Sequence, residues 1–104
     1  MRDLRMCACL LSALAIPVDA VARTYVVVIE QMRFEPGVLT VERGDRIQFV
    51  NKDLFPHTAT ADKKTFDSHA IAPGASWSLV VRHADRYTYF CTLHPTMHAI
   101  LIVQ

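Results

Sequence analysis

The 104-residue sequence has only three glycines and three cysteines, and two of the cysteines, Cys7 and Cys9, fall within the first ten residues. No helical period runs through residues 23–104, which argues against a helical or α/β domain. No basic stripe points to nucleic acid and no acidic run forms a docking tail, since the formal net charge is +1. There is no internal repeat, linker or low-complexity segment. The long apolar run "MCACLLSALAIPV" is too short to cross a bilayer, which takes about 20 residues.

That run has another use. It follows the short basic start "MRDLR" and precedes Ala20-Val21-Ala22, a small-x-small cleavage pattern. Residues 1–22 therefore read as a secretory signal peptide, and residues 23–104 as one exported, periplasmic domain. Neither Cys7 nor Cys9 lies in a lipid-attachment pattern. Once the leader is removed, Cys91 is the one cysteine left. It has no internal disulfide partner, so in an oxidising compartment it is a reactive thiol, an intermolecular bridge or a metal ligand. A domain of this size has a thin core, and a bound metal is one way to staple it.

The exported part reads as strands separated by turns. "TYVVVIEQ" is β-branched and aromatic. "RIQFVN" alternates, with Ile47 and Phe49 on one face and Arg46 and Gln48 on the other. "SWSLVV" alternates again, and "YTYFC" and "HAILIVQ" complete the set. Pro36-Gly37, Gly44-Asp45, Pro73-Gly74 and Ala84-Asp85-Arg86 mark turns, and Phe66 anchors a polar loop. Seven or eight short strands with turn signals every 8–12 residues or so predict an all-β sandwich or barrel.

The chemistry gathers in "YFCTLHPTMHAI". Cys91, His94 and Met97 follow one another at three-residue spacing. Structural zinc wants four strong Cys or His ligands, and a thioether is a poor one. A thiolate, imidazole and thioether suit copper, whose known His₂Cys set with a weak axial Met lacks one histidine here. Of the other histidines, His57 stands out, because it follows Pro56 at the end of the loop "NKDLFPH" and begins a short polar strand. His98 follows Met97 directly and faces the opposite way in an extended strand. His69, His83 and His98 read as surface or packing residues, with His69 the best placed of the three as a secondary ligand.

"FPHTAT" followed by "YTYFCTLHPTM" resembles the cupredoxins, the small blue-copper proteins of the amicyanin and plastocyanin kind. The Cys-x-x-His-x-x-Met spacing is similar to the short ligand loop of amicyanin, Cys-Thr-Pro-His-Pro-Phe-Met, and "MRFEPGVLTVERGDRIQFVNKD" resembles the family's first half. The resemblance implies an eight-stranded Greek-key sandwich carrying one type 1 copper and passing single electrons. It implies His57, Cys91 and His94 as equatorial ligands, Met97 as the axial one, and Tyr87 as a brace near the site. Thr58 stands where the family usually has an Asn linking the two ligand loops, and its hydroxyl offers a weaker version of that link. Leu93 and Thr96 replace amicyanin's Pro and Phe.

The expected function is a monomeric electron carrier rather than an enzyme, with a donor and an acceptor protein docking near His94. Leu93, Pro95, Leu54, Phe55 and Pro56 are expected to form an apolar patch there. The competing function is a copper chaperone or storage protein on the same fold. Such proteins favour Met- and His-rich sites, whereas residues 23–104 hold two methionines, Met32 and Met97. No His-x-His occurs, so the further copper centres of oxidases and nitrite reductases have no ligands. Trp77 and Phe49 read as core and Lys63-Lys64 as a solvated loop.

Overall fold

In the computed structural model, which describes residues 21–104, the described residues form eight strands and no helix. The strands are β1 (Thr24–Glu30), β2 (Arg33–Glu35), β3 (Val38–Val41), β4 (Arg46–Asn51), β5 (Thr60–Ala61), β6 (Ser76–Val80), β7 (Asp85–Cys91) and β8 (His94–Val103). Two four-stranded sheets, ordered β2-β1-β4-β6 and β3-β8-β7-β5, make the expected Greek-key sandwich. The proposed leader lies almost wholly outside the described residues.

Alternation places the core. In β4, Ile47 and Phe49 are fully buried while Arg46 is exposed, so the period-two pattern reads correctly from composition. β1 runs parallel to β4, and β3 parallel to β8; the remaining neighbours are antiparallel. Parallel neighbours need crossovers, and here the chain makes them by passing from one sheet to the other.

The core centres on Tyr89. Its ring meets Phe34 at 4.8 Å and Phe49 at 5.6 Å, both edge-on, and Phe66 at 5.9 Å. Room for it comes from the strands beside it, since Tyr89 is opposite Ala61 of β5 and Ala99 of β8. Cys91, two residues further along β7, shares the same inward face and is fully buried. Phe66 packs on Trp77, Tyr87 and Tyr89, so it does anchor its loop.

Three expectations change. The turn expected at residues 84–86 is shorter, because β7 already begins at Asp85, opposite Val103. His57 begins no strand of its own. It makes one isolated bridge to Ile71, and β5 starts three residues later. Tyr87 is a brace, but not near the site. Its hydroxyl donates to the His83 carbonyl at 2.9 Å, tying the β6–β7 connection. Tyr87 stands four positions before Cys91 along the strand, about 13 Å at the usual rise.

Replacing Phe49 with alanine leaves a cavity against Tyr89 and Trp77 and is expected to destabilise the domain by about 3–5 kcal/mol in urea unfolding. The exposed Val38→Ala is expected to change it by less than about 0.5 kcal/mol.

Candidate metal centre

β7 and β8 form a tight hairpin, and its irregularity builds the site. Phe90 is opposite His98, yet the next residue, Cys91, is opposite His94. Pro95, Thr96 and Met97 therefore have no cross-strand partner and bulge out of the ladder. The loop expected between two strands is in fact this bulge with the two-residue turn Thr92-Leu93. Pro95 is tolerated because β3 pairs with β8 only from Ile100 onward, so no neighbour asks for its missing N–H. Met97 turns inward and is 3% exposed. His98 points outward and stacks on Phe90, as the alternation predicts.

The loop after β4 delivers His57 to the same end. Asn51, fully buried at the end of β4, holds this loop. Its Nδ2 donates to the carbonyls of Phe55 at 2.8 Å and Ile71 at 2.9 Å, and its Oδ1 accepts from the Asp53 amide at 2.9 Å. His57 and Ile71 then exchange both backbone hydrogen bonds. The His57 ring is fully buried, with its Nδ1 3.6 Å from the Cys91 sulfur and its centroid 4.8 Å from that of His94.

The other ring nitrogen decides the tautomer. His57 Nε2 lies 2.8 Å from Asp53 Oδ2, whose second donor is the Met32 amide at 3.0 Å. Burial pushes the Asp53 carboxyl up, but the bonds from His57 and Met32 outweigh it and hold the group below its ordinary range. An ionised carboxylate only accepts, so the His57 proton sits on Nε2. In the neutral imidazole this leaves Nδ1 as a lone pair facing Cys91, and the thiol hydrogen can point to it. A carboxylate behind a ligand histidine orients the ring and raises its basicity.

The sulfur has a second partner. The Thr58 amide donates to Cys91 Sγ at 3.3 Å. Thr58 Oγ1 accepts from the Thr92 amide at 2.9 Å and also meets the hydroxyls of Thr60 and Thr92. The link that the sequence assigned to this hydroxyl is thus present and ties the two loops together.

Among the described residues, no three side chains of the His, Cys, Asp and Glu types close into a ready-made ligand cluster. Cys91 and His57 are in contact, His94 lies alongside, and Met97 is buried on the hairpin that also carries Cys91 and His94. This donor set fits copper, with a thiol, two imidazoles and a thioether, and does not fit structural zinc. His69 is not part of it: it is 85% exposed and 3.8 Å from Asp67. Sequence reasoning missed Asn51 and Asp53. Their signal is an Asn-x-Asp three residues ahead of the Pro-His pair, which is too short to stand out.

Fold and centre together define a small sandwich metalloprotein with its donors at one end of two sheets. The chain matches the model of the Cupredoxin-like domain over residues 4–103, and it belongs to the cupredoxin family, small electron carriers built around one type 1 copper. It is 30% identical to amicyanin of Paracoccus versutus over 98 residues, covering 89% of this chain and 71% of that one. It is 33% identical to plastocyanin of Synechococcus sp. (strain JA-2-3B'a(2-13)) over 92 residues, covering 72% and 68%. A solved Cu(I) form of an amicyanin mutant superposes with a TM-score of 0.72 at 28% identity, covering 84% of this chain and 86% of that one.

Asp53→Ala is expected to weaken Cu(II) binding roughly 10- to 100-fold in a competition titration, because His57 loses the acceptor that orients it.

Proposed function

We propose that this chain is an exported, periplasmic one-electron carrier. His57, Cys91, His94 and Met97 hold one type 1 copper, and the electron enters and leaves at His94. The reading rests above all on the buried Cys91 sulfur, which lies between the Thr58 amide and His57 Nδ1. A bound copper supplies the redox chemistry, cycling between Cu(I) and Cu(II). The chain's own residues supply the rest. Asp53 and Asn51 keep His57 in place, the Thr58 hydroxyl locks the hairpin to that loop, and the aromatic core beneath Cys91 excludes water. Because both sheets brace these side chains, they move little as charge changes.

Partner choice belongs to the surface around His94. Leu54, Phe55 and Leu93 are 86%, 54% and 49% exposed, and the Phe55 ring lies edge-on to His94 at 6.2 Å. These residues do not cap the core, which supports an apolar docking patch for a donor and an acceptor protein. The carrier acts as a monomer. No helix among the described residues is long and apolar enough to cross a membrane.

The exported product, loaded with Cu(II), is expected to show an intense thiolate-to-copper visible band and narrow copper hyperfine splitting, both lost in Cys91→Ser. A colourless protein that takes up Cu(I) alone would move a copper-delivery or storage role on the same fold to first place. Leu93→Asp is expected to slow electron exchange with the partner while leaving the blue band unchanged; an unaltered rate would remove the patch from the mechanism.

A further inference from the structure

The end of the sandwich farthest from Cys91 holds a buried carboxylate whose partners are both backbone amides. Asp45, 3% exposed, closes the turn that leads into β4. Its Oδ2 accepts from the Glu42 amide at 2.9 Å, and its Oδ1 accepts from the Arg23 amide, also at 2.9 Å. The backbone on both sides is fixed. The Arg23 carbonyl accepts from the Arg46 amide at 2.8 Å, and the Asp45 carbonyl from the Val81 amide at 3.1 Å. Directly before Arg23, Ala22 is exposed and Val21 is 83% exposed. A groove of about 580 Å³ opens between residues 21–23 and the segment Thr40–Asp45.

The small-x-small pattern ends at Ala22, so the bond it marks for cleavage is the one whose nitrogen already faces Asp45. We propose that a peptidase selecting small side chains at Ala20 and Ala22 cuts the Ala22–Arg23 bond, and that the new amino group of Arg23 forms an ion pair with buried Asp45. The inference rests on the export reading and deepens it: processing adds an electrostatic tie that the precursor lacks.

The chemistry balances as hydrolysis. The C–N bond of Ala22–Arg23 breaks, the oxygen of water joins the Ala22 carbonyl carbon as a carboxylate, and the nitrogen of Arg23 keeps its hydrogen and gains protons. An α-amino group titrates at about 7.7–8.0, so at neutral pH it is largely an ammonium. The nitrogen need not move. One hydrogen keeps the Asp45 contact, now between two charges, and the departure of Val21 and Ala22, which line one side of the groove, opens the other two to water. Before cleavage the Arg23 amide is the foremost influence holding the Asp45 carboxyl below its ordinary range, with the Glu42 amide next. The carboxylate is thus already ionised when the ammonium appears.

The full chain with its own leader is produced in a Gram-negative host, and the periplasmic product is weighed intact. A mass beginning at Arg23 is expected. A product beginning elsewhere overturns this proposal and leaves export standing, whereas an unprocessed chain overturns the export reading as well. Asp45→Asn is then compared in two exported proteins, the natural one and one with Thr-Ser inserted after Ala22, which carries the amine two residues away. The substitution is expected to lower the folding equilibrium constant by roughly fivefold more in the natural protein. An equal effect in both overturns the ion pair. The Arg23 amine should also acylate more slowly than the displaced amine near pH 8, which needs no substitution at Asp45; equal rates overturn the pairing too.

Discussion

The Thr58 amide directs its hydrogen at the Cys91 sulfur across 33 residues of sequence, and the proposed metal centre is arranged around that contact. It joins the loop after β4 to the end of β7, which belong to different sheets. A sulfur buried without a donor would be a weak acceptor in an apolar core. With the amide donating on one side and the His57 Nδ1 lone pair facing it on the other, it has a defined position. Thr58 takes part twice, since its hydroxyl also accepts from Thr92 at the hairpin turn.

Around this contact the structure separates its tasks by position. Beneath it, Tyr89 and the phenylalanines fill the space between the sheets, so the donors rest on a packed floor. Behind it, Asp53 and Asn51 set the His57 ring through a carboxylate and a side-chain amide. In front of it, Leu93, Phe55 and Leu54 stay in solvent beside His94. A rigid floor and a fixed ring limit reorganisation, while an apolar surface fits the proposed brief docking, with few polar groups to desolvate. At the far end, Asp45 secures the start of β1 to the turn before β4, the two parallel strands on which the first sheet is built.

The alternation in "RIQFVN", the turn pairs and the β-branched runs made the sandwich legible, because burial on one face of a sheet imposes a period of two. The same rule placed His98 outside and Met97 inside. Hairpin detail was not legible. A jump in register between Phe90 and Cys91 depends on which residues the partner strand supplies, and no local pattern encodes it. Tyr87 shows the limit of reasoning by position relative to a motif: four residues along an extended strand carried its hydroxyl away from the centre, to His83.

By itself the sequence determined the chemistry on offer: one cysteine beyond the apolar N-terminal run, a Cys-x-x-His-x-x-Met run, a Pro-His ahead of it and strands enough for two sheets. Donor types and spacing are covalent facts, so they survive without coordinates. Only the tertiary structure decided which histidine faces the sulfur, that Asp53 holds its outer nitrogen, and that Asp45 waits for the amide of Arg23. Each of these joins a loop or turn to a group whose place is fixed by hydrogen bonding and packing, and a contact of a few ångströms at the end of a folded sheet has no signature along the chain.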